Sequence, residues 1–198
     1  MNYYISDLHF GHANIIKYDA QHGGMHFHSI EEHDRFLIEN WNSVVTDKDT
    51  AYILGDFSWL NPEGTKAILK KLPGQKVLVR GNHDAWIKDY ECRKFFKEIC
   101  DYKRLKDFGI EVILSHYPML FYQNQHRGAV HLYGHVHNTE EETLFQQACK
   151  NLEENYNIPT NCYNVGCMLN GYTPQTLKQL QKRKSNIREI ENDLSISL

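Results

Sequence analysis

Asp7 and His9, Asp56, Asn82 with His83 and Asp84, His116, and His135 with His137 are carboxylate, carboxamide and imidazole side chains, and each set stands just after a short run of apolar, strand-forming residues. Oxygen and imidazole donors without thiolate suit Mn²⁺, Fe or Zn²⁺ at a working centre better than a structural zinc site, and Mn²⁺ is the favoured ion. Asp7-x-His9 and His135-x-His137 have a period of two, so on extended backbone both members of a pair reach the same side and close on one ion. So many donors exceed what one water-completed ion needs, which points to two divalent ions sharing a carboxylate. Two ions roughly 3.5 to 4 Å apart acidify a bridging water and brace the attacking and departing oxygens of an in-line displacement at phosphorus. The chemistry predicted is phosphoester hydrolysis by that bridging hydroxide. A histidine beside the ions yet not bound to them protonates the leaving alkoxide, and His83 is the candidate.

The elements that must position these residues follow a strand-then-loop rhythm. Tyr3 to Ser6 reads as a strand ending in Asp7-Leu8-His9. Ser29 to Glu32 is a capping box, followed by Phe36, Leu37, Trp41, Val44 and Val45 at helical spacing. Thr50 to Leu54 is a second strand stopped by Gly55-Asp56, and Asn61-Pro62 opens a helix. Pro73-Gly74 turns the chain into Lys76 to Val79, which ends in Gly81-Asn82-His83-Asp84. Ile110 to Leu114, hairpinned to Lys103 to Lys106, ends in Ser115-His116; Ala129 to Tyr133 ends in Gly134-His135-Val136-His137. Residues 119 to 128 form a loop bordering the site. Thr139 to Glu142 reads as a second cap before Leu144, Phe145, Ala148, Cys149 and Leu152, Cys162 to Met168 as a late strand, and Thr173-Pro174 as the cap of a C-terminal helix running into a frayed tail at 186 to 198. Strand ends on one edge of a sheet converge, so the polar sets share one site.

These blocks carry a resemblance. DLH at 7 to 9, GD at 55 and 56, GNHD at 81 to 84, SH at 115 and 116 and GHVH at 134 to 137 occur in order, and together resemble the calcineurin-like metallophosphoesterase family. The run SDLHFGHANII further resembles its small stand-alone bacterial and phage members. The resemblance implies an α/β fold of four layers, with two packed mixed β-sheets flanked by helices and a metal site at the C-terminal strand ends. It implies that Asp7, His9 and His137 hold one ion, that Asn82, His116 and His135 hold the other, that Asp56 bridges them and that His83 assists catalysis. Asp84 then orients His83 or the loop backbone, as carboxylates behind a metal centre commonly do. One block departs from the pattern. Many relatives extend GD to a second Asp three residues on and then Arg, whereas here Asp56 is followed by Phe57, Ser58, Trp59 and Leu60. Without the acidic partner and the bidentate guanidinium fork, weight shifts from a phosphomonoesterase to a phosphodiesterase acting on a small or nucleotide-like ester. His12, Arg127 or Arg80 remain as donors for substrate phosphate.

Composition narrows the class. In 198 residues, 22 Lys and Arg against 25 Asp and Glu give a net charge of −3, and 41% hydrophobic residues suffice for a core, which excludes a disordered chain. The length reads as one domain over 1 to 198. The absence of a long apolar run or a leader-like start predicts a cytoplasmic protein with no membrane contact. The acidic balance disfavours long DNA or RNA as a partner and leaves a small phosphoester or nucleotide; it says nothing of oligomeric state. Five scattered cysteines without a C-x-x-C pair read as reduced, buried thiols. Among the other histidines, His22, His26, His28 and His33 read as a solvated loop tract, and His131 as a strand residue among core neighbours. Trp59, Tyr117, Phe121 and Tyr122 are candidates for stacking on a nucleobase, with ordinary packing the favoured reading. A noncatalytic binding module on the same fold is the alternative from another class.

Overall fold

In a computed structural model that describes residues 1–183, the strands form two four-stranded sheets packed face to face. The first contains β1 (Asn2–Ile5), β2 (Thr50–Ile53), β3 (Gln75–Val79) and β4 (Phe96–Cys100), all parallel and adjacent in sequence order. The second contains β5 (Tyr102–Asp107), β6 (Ile110–Ser115), β7 (Val130–Tyr133) and β8 (Cys162–Asn164), with β5 antiparallel to β6 and the rest parallel. Helices flank them: α1 (Ile15–Gln21), α2 (Ile30–Val44), α3 (Pro62–Leu69), α4 (Tyr90–Arg93) and α5 (Glu140–Tyr156). The result is the four-layer α/β arrangement that the resemblance implied.

Side-chain alternation builds the layers. Ile5, Ala51, Ile53 and Leu78 face Leu37 and Trp41 of α2 and Ile68 and Leu69 of α3. Their neighbours Tyr4, Tyr52, Leu54, Val77 and Val79 face the opposite way and meet Val112, Leu114, Val130 and Leu132 of the second sheet. The outer side of that sheet is covered by Phe145 and Cys149 of α5 against Tyr133 and Cys162. All five cysteines are free thiols, four buried and Cys100 half-buried. No described helix is long and apolar enough to cross a membrane.

Local signals act as their chemistry requires at the first two caps. Ser29 accepts the Glu32 amide while Glu32 reaches back to the His28 amide, and Asn61 accepts the Gly64 amide with Pro62 in the first turn of α3. Elsewhere the structure differs. Thr139 stands at the N-cap of α5, but its hydroxyl donates to the Val136 carbonyl and accepts no amide of the first turn. The late strand stops at Asn164, because the backbone after it leaves the ladder to bridge Ser6 at Gly166 and then tightens into a 3₁₀ turn at Met168–Asn170. The C-terminal helical stretch starts at 177, not after Thr173-Pro174, and its cap is Thr176, whose hydroxyl and amide pair with Gln179. The tail at 186 to 198 lies outside the described residues. His33 is no loop residue: it sits fully buried on α2 beside Tyr172 and Phe27.

Candidate metal centre

Every polar set named from the sequence sits on the loop after a strand, and the loops meet along one edge of the paired sheets. The first sheet delivers Asp7 and His9 after β1, Asp56 after β2, and Asn82 to Asp84 after β3; the second delivers His116 after β6 and His135 with His137 after β7. Asp7, His9 and His137 form one group whose donor atoms lie within 4.8 Å of each other, and Asp56, His116 and His135 form a second. Asn82 Oδ1 joins the second group, 2.9 Å from His116 Nε2. Asp56 Oδ2 lies between the groups, 4.0 Å from His9 Nε2 and 3.7 Å from His116 Nε2.

The loops are bent in an unusual way. Asp7, His9, Asp56, His135 and His137 all have φ between 46° and 71°, the left-handed region that Asp and His enter more readily than most side chains but still at a cost. Backbone contacts hold the bends: His9 N donates to Asp56 O, Phe10 N to Phe57 O and Trp59 N to Phe10 O, zipping the first two loops together. Asp84 works in the same sense. Its carboxylate accepts the amides of Asp56, Phe57 and Gly81 and the Trp86 indole N–H, so it orients loop backbone and makes no bond to the His83 ring. Gly134 is required by close approach, since a Cβ there would stand 2.2 Å from Ser6 Oγ and 2.6 Å from Asp7 Oδ2.

The hydrogen bonds within this cluster leave a buried ring nitrogen over. His116 Nδ1 donates to the Leu54 carbonyl at 2.7 Å, the pattern that fixes a ligating imidazole, and leaves Nε2 as a lone pair. That lone pair faces Asn82 Oδ1, itself an acceptor, and His135 Nδ1 at 3.2 Å. In the other group His9 Nε2 and His137 Nε2 are 3.3 Å apart, while His9 Nδ1 is buried with no partner, so either tautomer leaves a ring nitrogen unsatisfied. Burial, reinforced by neighbouring imidazoles, pushes His9 well below the usual histidine range and lowers His135. Burial also raises Asp56 and Asp84, against the opposing pull of His116 on the former and of backbone amides on the latter. Neutral imidazole lone pairs converging on desolvated carboxylates are a donor set that divalent ions fit.

Other residues divide sharply. His12 lies at the site, stacked on Trp59 with ring centres 4.1 Å apart, and burial beside His83 lowers its pKa. Arg127, itself exposed, ends a 3₁₀ turn at Gln125–Arg127 whose first residue is buried, and makes no hydrogen bond or ion pair with the cluster. Arg80 is committed to Asp101, with Nε 2.6 Å from Oδ1. The Arg80 guanidinium is thus already paired. Three aromatic residues at the site escaped the sequence reading or were read as packing. Tyr117 lies 4.1 Å from the His135 ring and donates to Asn82 Oδ1, Trp59 lies against His83, and Tyr18 of α1 meets the edge of His137. Tyr117 and Trp59 carried a signal, each standing within three residues of a ligand block. Tyr18 depends on α1, which the sequence did not mark.

Known proteins place this geometry in a lineage. No family model matches the chain. An uncharacterized protein of Methanocaldococcus jannaschii is 32% identical over 197 residues, covering 97% of both chains. The chain belongs to that protein's family. Within reach of the family, the Gene 66 protein of Mycobacterium phage D29 is 33% identical over 164 residues, covering 68% of this chain and 77% of its own. Among solved structures, an Aquifex aeolicus protein of unknown function is 32% identical with a TM-score of 0.68, covering 92% of this chain and 98% of that one.

Proposed function

We propose that the protein is a calcineurin-like metallophosphoesterase that hydrolyses a small or nucleotide-like phosphodiester. The observation that carries this reading is the pair of ligand groups with Asp56 between them and imidazole nitrogens converging within each group, a donor set that divalent ions fit. Asp7, His9 and His137 would hold one divalent ion, Asn82, His116 and His135 the other, and Asp56 both. Bound there, two such ions supply an acidified water and neutralise charge on the phosphate oxygens.

The chain's own residues do the rest. Asp84 and the zipped loops hold the ligands in place before substrate arrives, so no reorganisation is needed at the moment of reaction. The His83 backbone N–H donates to Asp56 Oδ1 at 2.9 Å and fixes the loop, while its exposed imidazole, with no side-chain hydrogen bond among the described residues, is the group for proton transfer. Water oxygen bonds to phosphorus, the bond from phosphorus to the leaving oxygen breaks with its electron pair, and that oxygen takes the His83 proton; water's proton passes to solvent. Products are a phosphomonoester and an alcohol. No described Lys or Arg is hydrogen-bonded or ion-paired to a site residue, so phosphate recognition falls to the ions and to neutral donors. That favours the monoanionic diester over a monoester dianion.

The test is to strip the protein with chelator, restore Mn²⁺, and compare initial rates on bis-p-nitrophenyl phosphate and p-nitrophenyl phosphate, with His83→Ala alongside. Metal-restored hydrolysis favouring the diester is the expected result, with His83→Ala losing about 100-fold or more on diphenyl phosphate, whose leaving group needs the proton, at unchanged metal content. Two bound ions with turnover of neither ester would overturn the reading in favour of a binding module.

A further inference from the structure

The His83 ring makes no side-chain hydrogen bond among the described residues, although it stands at the edge of a cluster where nearly every other imidazole is tethered. What it does touch is Trp59, with ring centres 4.1 Å apart and planes inclined by 37°. Trp59 in turn stacks on His12 at 4.1 Å and 10°, and its indole lies 5.7 Å from His9. Three rings thus lean on one another beside the first ligand group, with His83 6.3 Å from His9.

This stack is built, and not a chance contact of exposed side chains. The parallel bridge between Phe10 and Ser58, extended by Trp59 N donating to Phe10 O at 2.8 Å, sets the two loops side by side and brings residues 12 and 59 together. Between them Gly11, at φ +76°, donates its amide to the Asp34 carboxylate of α2, and a Cβ there would stand 2.2 Å from Leu60 Cδ2. Ser58 and Thr65 hydroxyls, 3.0 Å apart and buried, anchor the residue before Trp59 to α3. The indole is therefore fixed from behind while its outer surface stays open to solvent.

We propose that Trp59 is the positioning residue for His83, holding the imidazole by a tilted ring-to-ring contact where a hydrogen-bonded carboxylate would otherwise aim it. Ring contact restricts the imidazole without engaging either nitrogen, so both remain available to the leaving oxygen. A carboxylate at this distance would place a charge beside the phosphate; an indole face does not. The inference rests on the hydrolase reading for its kinetic consequences and on ring geometry for its structural one, and the two are tested separately.

Trp59→Ala, Trp59→Phe, His83→Ala and the double variant Trp59→Ala/His83→Ala are assayed as Mn²⁺-loaded proteins on diphenyl phosphate, whose leaving group needs a proton, and on bis-p-nitrophenyl phosphate, whose leaving group does not. Trp59→Ala is expected to lower kcat on diphenyl phosphate about tenfold or more, to change kcat on the nitrophenyl ester less than about threefold, and to leave KM within about twofold. Trp59→Phe restores most of the loss, and the double variant is no slower than His83→Ala because both changes remove one device. Equal losses on both esters, additive losses in the double variant, or altered metal content would each overturn the proposal. Independently of turnover, the His83 ring C–H resonances of the metal-free protein should be shifted upfield by the indole ring current and return towards free-imidazole values in Trp59→Ala. Absence of that shift in the unmutated protein refutes the stack itself. Its presence with no ester hydrolysed would retain the positioning contact and defeat the hydrolase reading.

Discussion

Strand β7 and the loop that leaves it carry the same side chain to opposite ends. His131, inside the strand, is fully buried and both its ring nitrogens are used: Nδ1 donates to the Ile113 carbonyl at 3.2 Å and Nε2 accepts the Met119 amide at 3.1 Å. Four residues on, His135 and then His137 lie in left-handed backbone with nitrogens aimed at other imidazoles. A buried histidine with complete bonding holds structure together, whereas clustered histidines with competing lone pairs are held ready for a cation. Burial alone does not separate the two. Bonding arithmetic does.

The largest expected effect breaks the loop side of this contrast. Asp56→Asn removes the carboxylate placed between the two ligand groups, and both metal content and hydrolysis should fall together, hydrolysis by about 1,000-fold or more, as read by metal analysis and steady-state rates. Gly134→Ala tests whether the strain of the loop serves the ligands, because its methyl must displace Ser6 or Asp7. Mn²⁺ affinity is expected to drop about 10- to 100-fold in an equilibrium titration, although no donor atom is removed.

The strand side is sharpened by pH. Burial holds His131 down to about 4, against about 6.5 for a free histidine. The folded form thus binds fewer protons than the unfolded form between these values, so the contribution of His131 is whole above pH 6.5 and declines as pH falls towards 4, by up to about 3 kcal/mol. Denaturant unfolding of the metal-free protein at pH 7, 5.5 and 4.5 should show this decline, and His131→Gln, which cannot titrate, should show a shallower one. Smallest of all is Arg127→Ala, expected within about twofold of the parent in kcat/KM, because its turn makes no bond to the cluster.

Much of this contrast was readable before any coordinates. The run Ala51 to Leu54 after Thr50 is apolar until Gly55-Asp56, so the end of the strand and the chemistry beyond it are local facts of sequence. β4 was not readable: Phe96-Lys97-Glu98-Ile99-Cys100 buries only one residue fully, and its pairing with β3 across an irregular register supplies what its own pattern lacks. α1 failed for a related reason, since its buried residues are Ile15 and Asp19, and the latter is held by Tyr172 from the far end of the chain. Trp59 looked like packing because the contacts that define it come from Phe10, His12 and His83, all distant in sequence. Residue type and local order were visible, and long-range juxtaposition was not.

The division between the sheets is also a division in time. The first sheet ends at Cys100 and the second begins at Tyr102, while each ligand group takes members from both. A chain leaving the ribosome can complete its first sheet with Asp7, His9, Asp56 and Asn82 in place and still own no finished set of donors. Domains built from the N-terminus forward would then hold only half-sites until the segment around His135 and His137 has emerged and docked. If the two groups take up metal as proposed, loading would mark a chain whose two halves have met, and an unfinished polypeptide would offer an ion little to grip.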